Sequence, residues 1–291
     1  MVAILIKYSS KDININEFQM TPLHIAAMRG HLEIVKLLTA ESITDLNATI
    51  QSGHTALQLA ARGGHFGVVE FLLTMENVNV NVADSIGYTA LHLAAYHGHL
   101  EVVKLLVAVP IIDVNGASSG GRTAVHFAAE KGHHDIVKLL GTLPITDVNG
   151  VDSNGDTALH FAACQGRRGV VKVLMTMPSI DVNIRDVGGY TALHCAAYKG
   201  HHDVVKLLLT ALNVDVNVVD FLGRTAFHNA ASEEHQDVVK LLLAAPNVDA
   251  NVVKFFGRTA FHCAASDGHQ EVVNLLLSAP NVDVNVADQT G

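Results

Sequence analysis

The sequence predicts an all-α repeat fold made of stacked helix-turn-helix layers, and three features predict it. A Thr, followed two residues later by a large apolar residue and then usually by His, recurs every 34 residues from Thr21 to Thr259. Eight Ala pairs run in phase with it, the first at Ala26 and Ala27 and the last at Ala264 and Ala265. An Asn stands eight residues before each Thr from the second layer on, at Asn47, Asn81, Asn115, Asn149, Asn183, Asn217 and Asn251. A fixed period of this length marks a chain of like units, each needing its neighbours to bury its apolar face.

Residues 84–117 show the elements of one layer. Thr89 is suited to cap a helix, and Ala90-Leu91-His92-Leu93-Ala94-Ala95 supplies helix formers for a short first helix. Ala94 and Ala95 carry so little side-chain volume that another helix can approach closely. Gly98 breaks the chain, and Leu100-Glu101-Val102-Val103-Lys104-Leu105-Leu106 repeats its apolar residues at helical spacing, with Glu101 one turn before Lys104. That is a second helix. Ile112-Asp113-Val114-Asn115-Gly116, followed by Gly120 and Gly121, carries turn residues where the chain must reverse, so a hairpin-like finger is expected.

The repeating Gly-x-Thr-Ala-Leu-His-x-Ala-Ala-x-x-Gly-His, then Glu/Asp-Val-Val-Lys-Leu-Leu and Asp-Val-Asn, resembles the ankyrin repeat over essentially the whole chain. Each layer is one residue longer than usual for that family, the extra residue falling after the second helix. A tetratricopeptide array shares the period, but its Trp and Tyr pattern is missing and the chain has no Trp. The resemblance implies an ankyrin-like solenoid of helix pairs with β-hairpin-like fingers projecting from one edge, and a concave face formed by fingers and first helices.

Eight ankyrin-like repeats are expected over residues 16–287. Residues 1–15 read as a second helix and finger entry of a preceding partial repeat, and residues 288–291 as the start of a further one. Neither end shows a polar capping layer, so a segment of a longer array is expected.

Charge and composition exclude several functions. Against 19 Lys and Arg stand 28 Asp and Glu, a formal net charge of −9, so no basic field attracts nucleic acid. The longest Lys-free apolar stretch, residues 105–112, contains Pro110 and is far too short for a bilayer span, so no direct membrane insertion is expected. Residues 1–6 lack the features of a secretory signal. Three cysteines, Cys164, Cys195 and Cys263, have no paired spacing and suit a reducing, cytoplasmic setting.

Chemical motifs dissolve into the period. Residues 116–120 fit a nucleophile-elbow pattern with no strand before it, and residues 116–123 approximate a phosphate loop with Arg122 where Lys is required. The same Gly-Arg-Thr recurs at residues 223–225 and 257–259, so a turn explains both. Asn47-Ala48-Thr49 fits a glycosylation acceptor, but its Asn belongs to the repeat. Fourteen of the 18 His fall at two repeat positions, one after the Thr and one after the inter-helix turn. Framework use is the expectation for them, since no spaced ligand set accompanies them. A buried, neutral first series would make acid destabilise the fold. Cys195 and Cys263, two layers apart, are too distant to pair. No catalytic residue, metal site or cofactor is expected, and the chain is not read as an enzyme.

Recognition is expected where residues depart from the shared plan. The ankyrin resemblance places contacts at finger tips and near the end of the first helix. Those positions give Tyr88 and Tyr96, Tyr190 and Tyr198, then Phe221, Leu222 and Arg224, and Phe255, Phe256 and Arg258, with Glu233 nearby. Phe18, Met20, Met28, Glu234 and Asp267 are further candidates. Aromatic and Arg residues together are favoured interface anchors. In the seventh layer Asn229 and Glu234 replace an apolar residue and a turn Gly, a departure expected to cost stability. The function expected is that of a monomeric, non-enzymatic scaffold binding partner polypeptides on its concave and finger surfaces. The alternative is a sensor or tethering segment of a larger enzyme, channel or immune receptor.

Overall fold

A computed structural model describes residues 20–40 and 44–289; the expected partial repeat over 1–15, Phe18 and the last two residues lie outside the described residues. Among the described residues there are sixteen α-helices and one short 3-10 turn, and no strand. Every first helix begins directly after the repeating Thr. They are α1 (Pro22–Met28), α3 (Ala56–Arg62), α5 (Ala90–His97), α7 (Ala124–Lys131), α9 (Ala158–Cys164), α11 (Ala192–Tyr198), α13 (Ala226–Ser232) and α15 (Ala260–Asp267). The second helices are α2 (Leu32–Thr39), α4 (Phe66–Leu73), α6 (Leu100–Val107), α8 (His134–Gly141), α10 (Arg168–Leu174), α12 (His202–Leu208), α14 (Gln236–Ala244) and α16 (Gln270–Ser278).

Local chemistry sets these short helices. Thr157, in extended conformation, accepts a bond from the His160 amide while the His160 ring accepts from the Thr157 amide, a reciprocal cap repeated at six other layers. At the far end of α5, Gly98 takes φ 80°, a left-handed turn that a side chain would strain. The same turn in the seventh layer is made by Glu234 at φ 59°.

The chain divides into two compact units, Met1–Ala128 with Thr142–Thr146, and Ala129–Gly141 with Asp147–Gly291. In the first unit, α1, α3 and α5 lie side by side in order, with α2, α4 and α6 forming the second row. In the second, α9, α11, α13 and α15 form one row and α8, α10, α12, α14 and α16 the other. Each unit is thus a solenoid-type stack of helix pairs. Its core is written in the repeat: Ala162, Ala163, Ala196, Ala197, Ala230 and Ala231 are fully buried where first helices meet. The second helices contribute Val171 and Leu174, Val205 and Leu208, Val239 and Leu242, all buried one turn apart. Each buried Leu or Val contributes about 1.5–3 kcal/mol. Ala265 is exposed, since among the described residues no further first helix covers it.

Candidate protein-interaction surface

The shared polar residues are occupied in joining one layer to the next. In the first His series, Nδ1 accepts from the capping Thr and Nε2 reaches a carbonyl in the following finger. These bonds run from His24 to Ala48 at 2.9 Å and from His92 to Gly116 at 2.9 Å in the first unit. In the second unit they run from His160 to Tyr190, from His194 to Arg224 and from His228 to Arg258, at 3.0–3.2 Å. Gln58 makes the same pair of contacts with its amide: Oε1 accepts from the Thr55 amide, and Nε2 donates to the Val82 and Tyr88 carbonyls. Burial lowers the pKa of His24, His160 and His194, and lowers those of His92 and His228 to about 4, despite the carbonyl bonds that favour the charged ring.

The second His series spans layers in the opposite direction. His65, His99, His201, His235 and His269 bond the last carbonyls of the preceding first helices at 2.8–3.0 Å. Arg167, the exception in the sequence, makes the equivalent bond from Nε to the Glu130 carbonyl at 3.0 Å. The repeating Asn forms a third tie. Asn183 donates to the Asn213 carbonyl at 2.7 Å and accepts from the Asp215 amide at 2.9 Å. Among the described residues, no group of three or more His, Cys, Asp or Glu could hold a metal ion.

What these ties leave over is the row of finger tips. In the second unit each tip amide donates to the carbonyl of the preceding finger: Val187 to Asn154, Phe221 to Gly188, Phe255 to Leu222 and Gln289 to Phe256, at 2.8–3.1 Å. Backbone bonding therefore holds the fingers in fixed register while their side chains project outward. Phe221 is 62% exposed, Leu222 48%, Phe255 57% and Phe256 67%, with Val187 equally open. In the other fingers of this unit Asp152, Asp186 or Asp220 accepts two backbone amides through one carboxylate oxygen. Lys254 replaces that Asp, and the tip tightens into a 3-10 turn with Phe256 at φ 66°. A left-handed aromatic residue is uncommon and carries strain.

The Arg residues expected at this surface lie beneath the tips and are already paired. Arg224 donates from Nε to Asp220 Oδ2 at 2.7 Å and from Nη2 to the Tyr190 hydroxyl. Burial alone would raise the Asp220 pKa, but the bonds from Arg224 and the Leu222 amide hold it below the usual carboxylate range. Arg258 donates to Asp288 at 3.2 Å. Tyr198 is 41% exposed at the end of α11, with the Lys199 ammonium 5.0 Å from its ring centre. Glu233 and Glu234 are exposed beyond the end of α13. Tyr88 and Tyr96 belong to the first unit and pack around the buried Phe127 ring, at 4.8 and 6.0 Å between centroids, with the Arg122 guanidinium 4.4 Å over that ring.

Sequence reasoning missed Arg185, whose guanidinium stands 5.7 Å from the Phe221 ring centre while bonding the Val219 carbonyl, and it missed Val187. Both occupy finger positions that vary between layers, the only signal available. It also missed that Cys164 and Cys195, from adjacent first helices, line one groove.

No curated protein matches the chain. A family model described as ankyrin repeats in three copies matches residues 1–84, 43–115, 73–149, 110–186, 139–220 and 211–288. The chain belongs to the ankyrin-repeat family.

Proposed function

We propose that the chain is a non-catalytic scaffold that binds a partner polypeptide across the finger tips of its second unit. Ankyrin repeats are generally protein-interaction modules. The observation that carries this specific reading is the exposed row of Phe221, Leu222, Phe255 and Phe256, held in register by tip-to-tip backbone bonds. Large apolar groups on a preorganised backbone lose little conformational freedom on binding, which favours them as anchors. Arg224 and Arg258 act in this reading as supports, since their charges are already answered by Asp220 and Asp288. Three free cysteines support a reducing, intracellular setting for it.

Proximity labelling in the source cell tests the proposal by comparing the parent chain with a Phe221/Phe255/Phe256→Ala triple variant. The three rings are exposed, so the variant should keep its melting temperature and lose a defined subset of partners. Identical partner sets for both proteins would defeat the assignment of the tips.

A further inference from the structure

We propose that Cys164 and Cys195 form a thiol pair that a hydroperoxide oxidises to a disulfide joining two adjacent layers of the second unit. Cys164 ends α9 and Cys195 lies in α11, the neighbouring first helix. Both line one groove of about 380 Å³, together with Phe161, Tyr190, Tyr198 and Lys199. The groove admits a small molecule to both sulfurs, and its aromatic walls suit an organic hydroperoxide as well as hydrogen peroxide.

The two thiols differ in a way that assigns their roles. The Cys195 thiol, on the same groove, lowers the Cys164 pKa to about 6, burial opposing this and the Lys199 ammonium adding to it. The Cys164 thiol and burial together raise Cys195 well above the ordinary range. Around Cys164 stand Asp156 at the tip of its own layer's finger, His160 on its own helix, and Asp186 and Tyr190 from the next finger. Asp156 opposes the thiolate without reversing the shift. Cys164 is the nucleophile and Cys195 the resolving thiol.

In the first step the Cys164 thiolate attacks a terminal peroxide oxygen. The O–O bond breaks, Cys164 becomes a sulfenic acid, and the leaving oxyanion takes a proton from water. In the second, the Cys195 sulfur attacks the Cys164 sulfur, the S–O bond breaks, and hydroxide leaves with the Cys195 proton as water. The two sulfurs together lose two electrons and the peroxide gains them.

The full chain is treated with hydrogen peroxide at pH 6 and pH 8, quenched with iodoacetamide and mapped without reduction. Held below the ordinary thiol range, Cys164 carries more thiolate at pH 6 than an ordinary cysteine and should react roughly severalfold faster. The expected product is a Cys164–Cys195 cross-linked peptide lighter by two hydrogens, with Cys263 still free to alkylate. In Cys195→Ser no cross-link forms, and a 1,3-dione traps Cys164 as sulfenic acid; in Cys164→Ser neither product appears. The proposal falls if Cys164 oxidises no faster than Cys263 at pH 6, or if any disulfide formed joins two chains or involves Cys263. The parent protein decides this even where a Ser variant folds poorly.

Discussion

His160 ties two layers together through a single proton: its Nε2 lies 3.0 Å from the Tyr190 carbonyl oxygen, while Nδ1 faces the Thr157 amide and hydroxyl. Only the neutral ring with its hydrogen on Nε2 satisfies both ends. A second proton on Nδ1 would point at the Thr157 N–H, replacing an accepted bond with a repulsion between donors.

Acid should therefore loosen the stack. The folded-state pKa of these rings lies below that of the unfolded chain, so their contribution is fully present above about pH 6.5 and is lost as pH falls from there toward the folded value. For His92 and His228, lowered to about 4, that window runs from about pH 6.5 to 4. Each contributes at most about 3 kcal/mol. The melting temperature should be level between pH 8 and 7 and fall steadily by pH 5. His92→Gln, copying Gln58, should flatten that slope; calorimetry showing equal slopes for variant and parent would refute the mechanism.

Asn229 is 2% exposed and its amide nitrogen has no hydrogen-bond partner. Leu59 and Leu93 occupy the equivalent position in other layers and are buried. Asn229→Leu keeps the γ-branched shape, places the residue other layers bury there and removes an unsatisfied buried donor, so it should stabilise the protein by about 1–2 kcal/mol. Urea unfolding reads this directly, and a loss of stability would show that the amide has a role in the fold.

Glu234 holds a left-handed turn at φ 59°, where the equivalent Gly200 has φ 71°. Its carboxylate stands 3.6 Å from His269 but is half exposed, so that pair is worth little. Glu234→Gly should gain about 0.5–1 kcal/mol from relief of backbone strain. An unchanged or lower melting temperature would mean that the ion pair outweighs the strain.

Asn183→Ala removes both bonds that tie its finger to the next, to the Asn213 carbonyl and from the Asp215 amide. The expected cost is about 1–2 kcal/mol. Hydrogen exchange at the Asp215 amide should accelerate while amides inside α12 are little changed. Uniform loss of protection would instead place Asn183 in a globally cooperative unit.

The layer plan was legible in the sequence because every shared residue serves a local or nearest-neighbour need. The Thr caps its own helix, the Ala pair admits the next helix, and His, Gln58 and Asn reach backbone one layer away. Such needs recur at every step, so they print as a period. Even Arg167 fits, since a carbonyl acceptor asks only for an N–H at the right reach.

The sequence by itself determined the helix pairs, their buried faces and the finger between them, along with which residues are left over. Tertiary structure alone decided what the leftover residues do. Tyr88 and Tyr96 close over Phe127, Arg224 and Arg258 fold into ion pairs, and Phe221, Leu222, Phe255 and Phe256 remain open. Cys164 and Cys195 stand at different places in the repeat and come to one groove because their helices are neighbours in the stack. Periodicity reports contacts common to all layers; an encounter made once, between unlike positions, depends on distances that only folding sets.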